Sequence, residues 1–168
     1  MKILIYGNPV LRKKASKIKI IDKDIVLLSE RMFKKVEKNI PKGIGLAATQ
    51  VGYNVSLFVY EIDDDKGVII NPEILSKKGK EVAEEGCLSV PGVYGPIERA
   101  EEIVVKALDI KGKKIEMRLD GLKARVFQHE TDHLNGILFT DYINDINNLS
   151  VEEGFEIPEK LLERLKVS

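Results

Sequence analysis

The chain has 168 residues, enough for one domain with a full hydrophobic core. Its 27 basic and 27 acidic side chains balance, so bulk charge makes no case for DNA or an anionic membrane as partner. No apolar run approaches the ~20 residues of a membrane span, and a single cysteine, Cys87, excludes an intramolecular disulfide and fits a reducing cytoplasm.

Residues 1–6 read as the start of folded structure, without the long apolar stretch and cleavage site of a signal peptide. Asp22 or Asp24 caps a helix whose apolar positions Ile25, Leu28, Met32, Phe33 and Val36 repeat at helical spacing, and Asn39 and Pro41 end it. A Gly- and Ala-rich connection follows, to Gly52. Residues 56–61 and 67–71 are β-branched and aromatic runs, expected to be strands, with Asn71-Pro72 stopping the second. Residues 81–95, rich in Gly and Pro, are expected to be irregular. Residues 103–110 read as a strand. Ile115, Met117 and Leu119 alternate with Glu116, Arg118 and Asp120 as a half-buried one. Asp120 then caps a helix from about Leu122 to Asn135, closed by Gly136. The polar stretch 144–156 is expected to be loop, and Pro158 opens a short final helix carrying Leu161, Leu162 and Leu165.

The helix from Leu122 carries the chemistry. His129-Glu130-Thr131-Asp132-His133 holds both histidines of the chain, four residues apart. Residues i and i+4 share one helix face, so two imidazoles there can hold a divalent ion while Glu130 acts as general base on a water. Leu122 and Val126 precede His129 on the same stripe, and Ala124, Phe127 and Leu134 form a second apolar surface. A helix apolar on two sides belongs at the centre of a domain.

A hydrolytic site of this kind needs three protein ligands and an open position. No third histidine exists, and Phe139 stands where an extended protease pattern requires one. Cys87 and the downstream Glu152, Glu153 and Glu156 remain. By itself a lone cysteine such as Cys87 reads by default as a small buried hydrophobe. A nearby metal stabilises a thiolate, however, whereas the glutamates lie in a polar tail, so Cys87 ranks first.

Three segments carry a resemblance. Gly43-Ile44-Gly45-Leu46-Ala47-Ala48-Thr49-Gln50, Glu85-Gly86-Cys87-Leu88-Ser89 and Gln128-His129-Glu130-Thr131-Asp132-His133 resemble, in order and spacing, the three signature motifs of the peptide deformylases. The likeness runs from Asn8-Pro9-Val10-Leu11-Arg12 to about Tyr142. It implies an α+β fold, with antiparallel β-sheets around a central metal-binding helix, in one domain over residues 1–168 whose C-terminal tail diverges from about residue 144. It also implies removal of the N-formyl group from the N-terminal methionine of newly made proteins, with formate released.

On that resemblance Cys87, His129 and His133 are the metal ligands and Glu130 the proton shuttle. Gln50, through its side-chain amide, and Leu88, through its backbone N–H, are the donors to the oxyanion. The ion implied is Fe2+, with Zn2+, Ni2+ or Co2+ as alternatives. Leu122 and Val126 suit a methionine pocket, while Ile44, Gly45 and Gly86 offer backbone hydrogen bonds to an extended peptide. Asp132 is expected to support the ligands, and Glu85 and Arg99 to pair, either in support of the site or as a plain surface salt bridge. Formyl-methionyl nascent peptides, with transient ribosome contact, are the partners expected in a bacterial cytoplasm. The tail lacks the basic C-terminal helix of many relatives.

Overall fold

The structure is a computed structural model and describes residues 1–40 and 42–167. The first helix, α1 (Lys23–Lys38), starts where Asp22 accepts a hydrogen bond from the Ile25 N–H at 3.0 Å and stops at an extended Asn39. Pro41, the other expected stop, lies outside the described residues. Five strands then build one antiparallel sheet in the order β1 (Gly45–Ala47), β2 (Leu57–Ile62), β3 (Asp65–Lys78), β6 (Glu102–Leu108) and β7 (Lys114–Asp120). A second sheet joins β4 (Glu81–Cys87), β5 (Val90–Arg99) and the two-residue β8 (Ser150–Val151). The second long helix, α2 (Gly121–Leu134), lies between the two sheets, and α3 (Glu159–Val167) closes the chain.

Side-chain alternation explains the layers. Along β2, Phe58 and Tyr60 face α2 and pack on Phe127, whose ring meets theirs at 5.0 and 5.1 Å. Leu57 and Val59 point to the opposite face and pack with Leu28, Met32 and Val36 of α1. A third apolar cluster, with Val93, Ile97, Phe139, Leu161 and Leu165, holds the small sheet to α3. From Ala124 to Leu134 every residue of α2 except Asp132 is buried. The helix is thus central, and the antiparallel α+β architecture is the one expected.

Three expectations fail. Asn71-Pro72 does not stop β3. Asn71 adopts φ +51 in a register shift, its amide accepts from the Ile18 N–H (2.9 Å) and donates to the Ile18 carbonyl (2.8 Å), and the strand continues to Lys78. Residues 81–95 are not irregular. They form most of the β4–β5 hairpin, paired from Glu81↔Arg99 to Cys87↔Val90, with Leu88 and Ser89 as its turn. The stretch 144–156 is only partly loop, because Ser150 and Val151 pair with Tyr94 and Val93.

Candidate metal centre

Two elements meet to make the site. The end of β4 presents Cys87, and α2 presents His129 and His133 one turn apart. The His129 and His133 Nε2 atoms approach to 3.2 Å, and Cys87 Sγ lies 3.2 Å from His133 Nε2. All three ligand atoms fall within 4.8 Å of one another. Four-coordinate ligands with metal–nitrogen and metal–sulfur bonds of ordinary length sit about 3.3–3.6 Å apart, so this donor set fits one divalent ion. Two imidazole nitrogens so close can share at most one proton, which leaves lone pairs converging on the same space. Burial and the positive charge of His129 push the His133 pKa well below its usual value. For His129 burial acts in the same direction, but Cys87 and Glu85 outweigh it and raise its pKa.

The tautomer of His129 is fixed by chemistry. Its Nδ1 lies 2.8 Å from Glu85, an acceptor when ionised, so in the neutral, metal-binding imidazole Nδ1 carries the proton and Nε2 offers its lone pair. Burial works against the charge on Glu85. Hydrogen bonds from His129 and from Arg99, bidentate at 2.9 and 2.9 Å, nevertheless hold its carboxyl down at about 2. Arg125 adds a bond at 2.7 Å and donates also to the carbonyls of Ile97 and Glu81, both at 2.8 Å. Arg99 reaches on to Asp132 at 2.5 Å, which also accepts from the Tyr142 hydroxyl at 2.7 Å. The Glu85–Arg99 pair is therefore buried, with both side chains 5% exposed, and is not a surface salt bridge. Arg125 is not among the residues expected at the site. Its signal was a charged residue one position before Val126 on a helix read as apolar on two sides.

Gln50 stands in a 3-10 turn, Ala48–Val51, directly after β1. Its Oε1 accepts from the Ala47 N–H at 2.9 Å, which orients the amide so that Nε2 faces Ser89 Oγ (3.1 Å) and Cys87 Sγ (3.5 Å). The thiol also receives the Ser89 N–H at 3.4 Å. The N-terminal segment ties these parts together. Leu4 N–H donates to the Gln50 carbonyl and Tyr6 N–H to the Ser89 carbonyl, at 2.7 and 2.8 Å.

Glu130 is buried, and one carboxylate oxygen, Oε2, has no hydrogen-bond partner among the described residues. Gly45 makes room for it, since a Cβ there would sit 2.6 Å from Glu130 Oε1. Burial raises the Glu130 carboxyl to about 7, against the opposing charge of His129. A carboxyl poised near neutrality can both take and return a proton.

Cys87, His129 and Glu130 open onto one cavity of about 580 Å³, and Gln50 and Leu88 line it too. So do Ile44, Gly45, Gly86, Leu122 and Val126, the residues expected to meet a peptide. Leu122 is 53% and Ile44 43% exposed, which leaves apolar surface facing the groove. His133 lies behind its two partners and is 1% exposed. The downstream glutamates do not join the cluster; Glu152 instead faces the Tyr94 hydroxyl at 3.4 Å. Among the described residues no helix is long and apolar enough to cross a membrane.

The family model described as polypeptide deformylase matches residues 1–149. The chain belongs to the polypeptide deformylase family. It is 44% identical over 154 residues to the peptide deformylase of Dictyoglomus thermophilum, covering 92% of this chain and 95% of that one. The Nitrosococcus oceani peptide deformylase is 41% identical over 164 residues, 96% and 97% of the two chains. A crystal structure of a peptide deformylase from Legionella pneumophila superposes with a TM-score of 0.84 at 38% identity, covering 99% of this chain and 93% of that one. The Thermotoga maritima peptide deformylase gives 0.81 at 44% identity, over 84% and 96%. Polypeptide deformylases are metal-dependent hydrolases that remove the N-formyl group from N-terminal methionine, and the cysteine and two histidines of this chain supply such a metal site.

Proposed function

We propose that the chain deformylates formyl-methionyl nascent peptides, with Cys87, His129 and His133 holding Fe2+ and Glu130 moving the proton. The observation that carries the reading is the convergence of these three ligand atoms beside a buried, unpartnered carboxylate oxygen at the inner end of an apolar groove. When bound, the ion supplies Lewis acidity, which makes water nucleophilic at neutral pH. Glu130 takes the proton released in the attack and returns it to the departing α-amine, so formate and a free N-terminus are the products. Gln50, its amide locked by the Ala47 N–H, donates to the carbonyl oxygen as charge develops there, together with the Leu88 backbone N–H. Leu122 and Val126 receive the methionine side chain, and Ile44, Gly45 and Gly86 align the peptide backbone along the free edge of β1.

A thiolate among the ligands softens the centre, which supports ferrous iron as the working ion and still admits Zn2+, Ni2+ or Co2+. Balanced charge and the single half-buried cysteine support a bacterial cytoplasmic enzyme that meets its substrate as the peptide leaves the ribosome. Residues 1–168 act as one deformylase-like unit, the tail from about residue 144 included. The test is formate release from formyl-Met-Ala-Ser by protein loaded anaerobically with Fe2+. Protein that retains one metal ion and releases no formate would overturn the proposal.

A further inference from the structure

The family match stops at residue 149, yet the chain beyond it turns back onto the groove. Ser150 and Val151 pair with Tyr94 and Val93, and the Glu152 N–H donates to the Gly92 carbonyl at 2.8 Å. A turn closed by the Phe155 N–H on the Glu152 carbonyl, at 3.1 Å, then sets the Phe155 ring on Gly92. A Cβ on Gly92 would lie 2.1 Å from the ring, and its φ of +73 also favours glycine, so this position is a seat for the ring. Phe155 stays 39% exposed and lines the same cavity as Cys87 and His129.

The ring does not belong to the proposed methionine pocket. Arg125, between Leu122 and Val126 in sequence, bonds the carbonyls of Glu81 and Ile97 and so fixes that part of α2 against the far end of the hairpin. Gly92 lies at the other end, by the turn. Ile97 lies five residues beyond Gly92 along β5, about 16 Å between backbones, and the side chains that line the cavity from both ends leave a gap that one or two peptide residues, at about 3.5 Å each, span. On the deformylase reading above, we propose that Phe155 is a specificity-determining residue, an aromatic wall that favours a bulky apolar side chain at the second or third position of the peptide.

The test compares kcat/KM for formyl-Met-Ala-Ser, formyl-Met-Leu-Ser and formyl-Met-Ala-Leu in the metal-loaded wild type, Phe155→Ala and Phe155→Leu, with thermal melts of each. The preference for a leucine-bearing peptide over formyl-Met-Ala-Ser should fall about three- to tenfold in Phe155→Ala, the scale of one aromatic contact. The change should appear in KM, with Phe155→Leu keeping part of the preference. A wild type with no such preference overturns the inference. So does a Phe155→Ala protein whose rates fall equally on all three peptides, since that reports only a structural tail. A wild type inactive on every peptide overturns the deformylase reading itself, and is thereby distinguishable.

Discussion

Replacing Glu85 by Gln tests whether the buried charge network orients the metal ligands. Each Glu85 oxygen accepts two bonds: Oε1 from Arg99 and His129, Oε2 from Arg99 and Arg125, all between 2.7 and 2.9 Å. Whichever oxygen becomes an NH2 group loses both and faces two donors, with two guanidinium groups left short of negative charge. Both Glu85 and Arg99 side chains are only 5% exposed, so water does little to compensate. Removing one partner of such a buried pair costs about 3–5 kcal/mol, which for a chain of this size lowers the melting midpoint by about 6–20 °C at about 2–4 °C per kcal/mol. His129 loses the acceptor that fixes its tautomer when the nitrogen takes the Oε1 place, and keeps only a neutral one otherwise, so metal affinity should weaken about 10–100-fold. Calorimetry of the metal-free and loaded forms reads the first effect, and competition with a chelator reads the second. A Glu85→Gln protein that melts within about 2 °C of wild type and holds its ion as tightly would refute the argument.

Four further substitutions probe the site from other sides. Cys87→Ser should lose its ion on dialysis while Glu153→Gln keeps it, because the cysteine and not the tail lies with the histidines; metal analysis of both separates the two ligand sets. Gln50→Ala should retain metal but turn over about 10²–10³-fold more slowly, and full activity in the loaded variant would remove Gln50 from the oxyanion role. Gly45→Ala places a methyl 2.6 Å from Glu130 Oε1, so the carboxylate must move, and turnover should fall about 10²-fold with metal content unchanged.

Much of the frame was legible where local chemistry is self-contained. Asp22 caps α1 as its position suggested, β6 is the strand expected, β7 follows its alternation, and Gly136, with φ +75, follows α2 as a left-handed residue must. The metal cluster was legible because His129 and His133 need only the helix period to converge, and because the chain has a single cysteine to join them. What failed depended on distant partners. Asn71 sustains a bulge because Ile18, 53 residues away, takes both ends of its amide. The glycines of residues 81–95 looked like loop punctuation, but they mark close approaches within strands. Gly86 lies under the Tyr94 ring, Gly92 under Phe155, and a Cβ on Gly95 would meet Ile143 at 2.9 Å. Pro91 and Pro96 are tolerated in β5 because only Val93 and Tyr94 pair with β8.

Glu85 was expected to pair with Arg99, but its bond to His129 depends on the period of a strand in a segment expected to be irregular. Glu85 and Cys87 are two residues apart in β4, where alternate side chains share a face, and both turn toward α2. One strand thus delivers a metal ligand and the carboxylate that orients another ligand. On the facing helix His129 completes the link, with Nδ1 on Glu85 and Nε2 beside His133. The arrangement is stringent, because a one-residue slip of β4 would turn both side chains away from the helix together. The register is held from outside the metal centre. Arg99, paired with Glu81 at the start of β4, bonds Glu85 and Asp132, while Arg125 bonds Glu85 and two carbonyls of the hairpin. Two buried arginines therefore act at a distance on the metal, by deciding which face of one short strand meets the helix.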